Sequence, residues 1–349
     1  MNQLPKTMKG VQLTKHGDID SLVFNEQIAL PYLTDNDVLV KVAAAGVNNT
    51  DLNTRKGWYS KEGNNANDAS WAGSALVFPR IQGADVCGYI VAVGKNVSSS
   101  RIGERVLIEP CLTEADSQRL PSPWYFGSEC DGGFAQFTKV ASKHAYAVKS
   151  SYTDTELASF PCSYSTAENL LHRANVQKGE RVFITGASGG VGSAAVQLAK
   201  ARGAYVVAVT SKEKQGEVNA LGADETVTRD ADWKSLYKNK PFNVVIDLVA
   251  GARWPDLLEL LSTFGRYATS GAIGGHDVIL DVRTLYLKDL QLIGCTVLQE
   301  GVFASLVKHI ERGSIKPIVA ATYPLKEIKQ AQQDFELKKH TGKLVLTLD

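Results

Sequence analysis

The stretch "RVFITGASGGVGSAAVQLAKARGAYVVAVTSKEK", residues 181–214, constrains the fold of this chain more than any other. A short apolar strand runs into a turn of small residues, the turn opens an amphipathic helix, and the helix leads to a second apolar strand. Only in that context does a glycine pattern count as a nucleotide fingerprint. Small residues let backbone N–H groups approach a pyrophosphate, and the helix that follows presents its positive end to it. Gly189 and Gly192 stand at the second and third glycine positions, with Ala187 where the first would be. Ala187, Ser188, Gly189, Gly190 and Val191 are therefore the candidate phosphate contacts. An ordinary Gly-rich turn is the bland alternative, and the βαβ run that follows weighs against it.

The same unit bears on which nucleotide is taken. An NAD site places an acidic residue at the end of the second strand, roughly 20 residues past the glycines, where it holds the ribose hydroxyls. Here "AYVVAV" ends in Thr210, Ser211 and Lys212, with Lys214 close behind and Arg229 after the next strand. A hydroxyl and cations with no carboxylate at the strand end suit a 2′-phosphate, so NADPH is expected. The alternative is that these lysines are a solvated helix face. Ala272 and Ile273, in "ATSGAIGG", fall at the carboxyl end of another strand and are candidates to flank the nicotinamide. Asp247, ending "NVVIDLVAG", reads better as a turn or cap residue than as a ligand.

Around this unit the chain has two textures. Up to about residue 150, "DVLVKVAAAG", "VCGYIVAVG", "ERVLIEP" and "GGFAQFTKV" are short β-rich runs bounded by turn residues, as in a small barrel. Thr153 and Glu156 then stand at capping-box spacing and predict a helix start. Alternating strands and amphipathic helices follow, which predicts a parallel sheet covered on both faces. With 349 residues, two domains are expected: 1–158 completed by 300–349, and 159–299.

Net charge is +1 with no basic cluster, so nucleic acid is not an expected partner. The segment "MNQLPKTMKGVQLTKHG" lacks the apolar core of a signal peptide, and no run is long enough to span a bilayer. The expectation is a cytoplasmic protein with no membrane partner. Its five separated cysteines are read as free thiols, although Cys111 and Cys130 flank one segment.

"GVNNTDLNTRKGWY", "IQGADVCGYIVAVG", "GERVLIEP", "DGGFAQF", "TGASGGVGSAAVQLAK" and "LGADETV" occur in the order found in the medium-chain dehydrogenase/reductase superfamily, and the chain resembles its zinc-independent quinone oxidoreductase and enoyl reductase branch. The resemblance implies an α/β architecture: a GroES-like β-barrel catalytic domain plus a Rossmann doubly wound parallel sheet. Zinc-dependent relatives carry Cys and often His where Asn48 and Asn49 stand, and a His in "GHE" where this chain reads "GAD", Gly83 to Asp85. Cys162 alone matches a ligand position, and the four structural cysteines are missing. A catalytic zinc needs three protein ligands beside a water, so no metal is expected.

In that branch the Asn of "GVN" lies near nicotinamide and substrate, and a Tyr after the glycine of the same motif points into the cleft. The resemblance thus implies roles for Asn48 and Tyr59, the latter as a proton donor, and places Thr166 near the nicotinamide amide. Some quinone reductases have a further Tyr where Asn53 stands. Asn48 to Asp51 also read as helix-capping residues, and Trp58 and Tyr59 as core aromatics. The segments 60–80 and 111–130 are expected to be irregular loops, with Trp71, Trp124, Tyr125 and Phe126 either lining a substrate pocket or covering the barrel.

The leading expectation is an NADPH-dependent reductase of a small-molecule quinone or activated carbonyl substrate. A zinc alcohol dehydrogenase using Cys162 and Asp85, and a non-catalytic NADPH-binding protein, are the rivals. The apolar run near residues 282–298 is where relatives join sheets edge to edge, so a homodimer is expected.

Overall fold

A computed structural model of the chain describes residues 4–61 and 67–348. Two compact units result, one of residues 1–162 with 317–349 and one of residues 163–316.

In the first unit, strands in the order Ala145–Ala147, Arg105–Ile108, Asp85–Val93, Asp37–Gly46, Lys343–Thr347 and Val319–Pro324 form a curved sheet, with Phe137–Ala141 also paired to Asp37–Gly46. A second sheet sets Thr7–Leu13 between Leu22–Ala29 and Arg80–Ile81. Inward-facing Val38, Val40, Val42, Val86, Ile90, Val106 and Ile108 are all 1 % exposed or less and fill the interior. The segment expected to be an irregular loop at 111–130 is instead largely a hairpin. Cys111–Ala115 pairs antiparallel with Gln118–Tyr125, setting Leu112 opposite Trp124. Asp116 and Ser117 turn the chain at φ 51° and 61°, a two-residue hairpin turn that short polar side chains tolerate. The residues 62–66 of the other expected loop lie outside the described residues.

The second unit carries six parallel strands in the order Glu225–Thr228, Tyr205–Thr210, Arg181–Ile184, Phe242–Asp247, Leu261–Thr269 and Gln291–Gly294. This is the 3-2-1-4-5-6 order of a dinucleotide-binding sheet, whose ligand crevice lies off the carboxyl ends of the strands. Val182, Phe183, Ile184, Val206, Val207, Val244, Val245 and Ile246 are 0 % exposed, as sheet strands covered on both faces must be.

Two expected boundaries are corrected, the first from 158 to 162. Residues 300–316 stay with the second unit, because the helix Val302–Glu311 buries Val302, Phe303, Leu306 and Ile310 there, and Ser305 Oγ donates to Glu168 Oε1 at 3.0 Å. The chain returns to the barrel only at residue 317. The predicted helix start holds: Thr153 caps Asp154–Leu157, its hydroxyl accepting from the Glu156 N–H.

Candidate functional site

The polar cluster at the end of the barrel strand Asp37–Gly46 is a folded knot rather than a free loop. Asn48 is the N-cap of the helix Asn49–Lys56, and Asp51 Oδ2 accepts its backbone N–H at 2.7 Å. Asp51 Oδ1 accepts the Gly83 N–H at 3.3 Å, which ties the helix to the "GAD" segment. Burial pushes the Asp51 carboxyl up to about 7, against the opposing pull of these N–H groups and the Lys343 charge.

The Asn48 carboxamide is engaged at both ends. Its Nδ2 donates to Asp85 Oδ2 at 2.9 Å, and its Oδ1 accepts from Lys343 Nζ. Lys343 Nζ also lies 2.7 Å from Asp85 Oδ2, with the two side chains 3 % and 0 % exposed. Asp85 Oδ1 accepts the Cys162 backbone N–H at 2.5 Å. Asn48, 4 % exposed, is therefore a buried structural linker with its amide occupied, where the resemblance implied a group turned toward substrate.

Beside this knot lies a small aromatic wall. Tyr125 OH and Cys162 Sγ are 3.0 Å apart, and Trp71 stacks on Tyr125 with ring centroids 4.9 Å apart. Trp124 and Phe126 pack into the barrel core instead. Burial drives the Cys162 thiol up to about 12, with the Asp85 charge adding to it. Tyr59 is half-buried and its hydroxyl donates to Thr50 Oγ1 at 3.0 Å. Burial raises the Tyr59 phenol above its ordinary range, and the Cys162 position adds to the shift. A phenol so held stays protonated at neutral pH and retains its proton for donation.

Among the described residues no group of three His, Cys, Asp or Glu side chains converges in a way that would hold a metal ion. Ala84 offers no donor, and the Asp85 carboxylate is taken up by Lys343, Asn48 and the Cys162 N–H.

In the second unit the glycine-rich turn runs directly into its helix. Gly189 is the N-cap of the helix Gly190–Ala201, with no side chain bonded over the helix end. Gly192 admits no side chain, since a Cβ there would sit 2.2 Å from Gly186 O. This contact seats the helix directly on the turn; the Gly189 N–H donates to Gly186 O at 3.0 Å, and the N–H groups of Gly190 and Val191 stand at the head of an uncapped helix, a setting for an anion. Ala187 is fixed by its N–H to Val209 O at 3.0 Å.

Ser211, Lys212 and Arg229 come together at the ends of two neighbouring strands, where Thr210 pairs with Thr228. Exposed Lys212 and Arg229 both pull the Glu213 carboxyl below its usual range, after its own backbone and the Ser211 hydroxyl. Desolvation, and then the Arg229 charge after the opposing Glu217, lower the ammonium of Lys214. The cations here already face carboxylates, Lys212 and Arg229 that of Glu213 and Lys214 that of Glu217, so the patch carries both signs. Ala272 and Ile273 lie in the loop after Leu261–Thr269, and Ile273 is 65 % exposed. Thr166 sits half-buried on the helix Pro161–Arg173. The residues assigned to the cofactor thus gather at one end of one sheet, with Thr166 on the helix that enters the unit.

Sequence reasoning missed Lys343 in the barrel cluster, and it weighed Asp85 only as a zinc ligand and Tyr125 only as a pocket or barrel aromatic. The available signal was a lysine opening the otherwise apolar strand "KLVLT", since a lysine is almost never fully buried unless paired.

Residues 34–150 match the alcohol dehydrogenase GroES-like domain family, and residues 190–312 the zinc-binding dehydrogenase family. Human quinone oxidoreductase is 29% identical over 98% of this chain and 98% of its own length. An acryloyl-coenzyme A reductase of Metallosphaera sedula is 29% identical over 91% of this chain and 94% of its own. A Sinorhizobium meliloti structure, described as a candidate alcohol dehydrogenase, is 42% identical and superposes with a TM-score of 0.91, covering 100% of this chain and 99% of that one. Fold and site thus define a nicotinamide-dependent oxidoreductase. The chain belongs to the medium-chain dehydrogenase/reductase superfamily.

Proposed function

We propose that this chain is an NADPH-dependent reductase of electron-poor small molecules, quinones or α,β-unsaturated carbonyl compounds, working without a metal. One observation carries the metal-free reading: Asp85 is committed to a buried ion pair with Lys343, and Asn48 is bonded to both. An ammonium already supplies the positive charge there, and the Cys162 thiol faces the Tyr125 hydroxyl at 3.0 Å. These residues do not fit a zinc site.

A bound dihydronicotinamide supplies the hydride. The turn Ala187 to Val191 holds the pyrophosphate, and Ser211, Lys212 and Arg229 hold the 2′-phosphate. Thr166, Ala272 and Ile273 flank the nicotinamide ring. Tyr59 delivers its proton to the enolate formed from an enone, or hydrogen-bonds the carbonyl oxygen of a quinone, and Thr50 keeps the phenol oriented. A quinone oxidoreductase and an acryloyl-coenzyme A reductase among the relatives both act on electron-poor π systems, which supports the substrate class.

The test is a titration of NADPH against NADH, then turnover with a panel of quinones and enones, with zinc measured on the same sample. Tight NADPH binding with turnover and no stoichiometric metal is the expected result. NADH preference, or one zinc per chain, overturns it in favour of an alcohol dehydrogenase.

We also propose a cytoplasmic homodimer. No helix among the described residues is long and apolar enough to cross a membrane, and five widely spaced cysteines are the pattern of a reduced protein. Gln291–Gly294 is the edge strand of its sheet and carries exposed Leu292, and exposed Val282, Tyr286 and Leu287 lie on the helix that precedes it. Sedimentation should give a dimer that Leu287→Glu dissociates; a monomeric wild-type chain would end this proposal.

A further inference from the structure

Asp247 closes the strand Phe242–Asp247 and is 0 % exposed, yet no cation lies within ion-pair distance of it among the described residues. Hydrogen-bond donors surround its carboxylate instead. Oδ1 accepts the Thr185 hydroxyl at 2.5 Å, the Val249 N–H at 3.0 Å and the Ala250 N–H at 3.2 Å. Oδ2 accepts the Tyr267 hydroxyl at 2.6 Å and the Ala250 N–H at 3.1 Å. Thr185 passes the connection on, since its hydroxyl accepts the Leu248 N–H at 2.9 Å.

These donors come from three neighbouring strand ends. Thr185 immediately precedes the phosphate turn, Val249 and Ala250 belong to the loop after Asp247, and Tyr267 stands two residues before the end of the strand that leads to Ala272 and Ile273. The carboxylate holds Ala250 at φ 55°, outside the range an alanine ordinarily adopts. The next residue, Gly251, has φ 71°, and a Cβ there would stand 2.2 Å from Gly274 O. Gly274 N–H in turn donates to Val249 O at 2.7 Å, which stitches the loop after Asp247 to the loop that carries Ala272 and Ile273.

We propose that Asp247 is a positioning residue for the nicotinamide half of the cofactor, one buried carboxylate that fixes the geometry of these loops at the carboxyl end of the sheet. The proposal rests on the reading that residues 163–316 bind a nicotinamide dinucleotide. Removing a buried acceptor shared by several donors leaves those donors unsatisfied, so the loops relax even though the sheet beneath them persists.

The test uses the full chain and two variants, Asp247→Asn and Tyr267→Phe. An asparagine at 247 keeps the shape but turns an N–H₂ toward a donor, and phenylalanine at 267 removes one donor alone. NADPH and NADH are titrated alongside adenosine 2′,5′-bisphosphate, which carries the adenosine and 2′-phosphate but no nicotinamide. Asp247→Asn should weaken the preferred dinucleotide about tenfold to a hundredfold, and Tyr267→Phe by a smaller factor, while both leave the bisphosphate unchanged. Equal losses for dinucleotide and fragment, as general destabilisation would give, overturn the proposal, and so do unchanged affinities. If Asp247→Asn does not fold, the same comparison on Tyr267→Phe decides. A wild-type chain that binds neither dinucleotide removes the underlying reading, and the positioning role with it.

Discussion

Lys343 Nζ and Asp85 Oδ2 lie 2.7 Å apart, the first 3 % and the second 0 % exposed, joining the strand that opens at Lys343 to the one that opens at Asp85. These two strands do not pair directly; Asp37–Gly46 lies between them. The ion pair and Asn48 therefore bridge the end of that middle strand. Two charges taken from water need each other and their further hydrogen bonds to be tolerated. Lys343→Met should destabilise the chain by about 3–5 kcal/mol, because it strands a buried carboxylate. Adding Asp85→Asn should recover part of that loss, so the double variant is more stable than the sum of the single effects. Urea unfolding of the four proteins measures this. Strict additivity would show that the pair is not coupled.

Tyr59 is the residue on which the chemistry of the proposed reaction depends most directly. Tyr59→Phe keeps the ring and its edge contact with Trp58, at 5.6 Å between centroids, and removes only the hydroxyl that meets Thr50. General acid assistance contributes about a hundredfold or more. Turnover of an enone should fall by about that factor, with the KM for the cofactor unchanged. Equal turnover with every substrate accepted would take Tyr59 out of the mechanism.

The nucleotide unit was more legible in the sequence than the barrel site, and the reason is physical. A parallel sheet is assembled from consecutive βα units, so the turn at 186–190, the strand end at Ser211 and the loop at 272–273 each announce themselves locally. Asp247 read correctly as a turn residue for the same reason: its N–H partners are two and three residues ahead. The barrel knot is assembled from distant segments. Asn48, Asp85, Cys162 and Lys343 meet only because an antiparallel sheet and a returning C-terminal strand bring them together, and no periodicity carries that information. Asn48 shows the consequence. Its motif position implied a substrate contact, whereas a lysine 295 positions away takes its carbonyl oxygen. The hairpin at 111–125 escaped notice because much of its length faces solvent, and polar residues masked the alternation.

On the proposed reading, cofactor choice turns on the cations at the end of Tyr205–Thr210. A Lys212→Glu and Lys214→Glu double variant places carboxylates where the 2′-phosphate would lie. Charged hydrogen bonds contribute about 1.5–3 kcal/mol each. NADPH affinity should drop by at least about tenfold, with NADH affinity retained or improved. The NADPH affinity of the wild-type chain should also weaken with added salt, as exposed charges are screened. Comparable losses for both dinucleotides would place these lysines on a solvated helix face.

Asp51 makes stability depend on pH in the direction opposite to most carboxylates. Its folded-state value of about 7 stands above the ordinary 3.8, chiefly because the side chain is buried. The folded state therefore holds the proton more tightly than the unfolded chain does. Asp51 contributes its full stabilisation below about pH 4 and loses it as pH rises through about 7. Within that window the loss amounts to about 1.4 kcal/mol per pH unit at most. Other groups titrate there as well, so the quantity to measure is the stability of the wild type minus that of Asp51→Asn, whose side chain does not ionise. That difference should move in favour of the wild type on going from pH 8 to pH 5. A difference independent of pH would mean that the N–H groups of Asn48 and Gly83, with Lys343 nearby, keep Asp51 ionised throughout. The helix Asn49–Lys56 would then be capped by a permanent carboxylate rather than by a titrating acid.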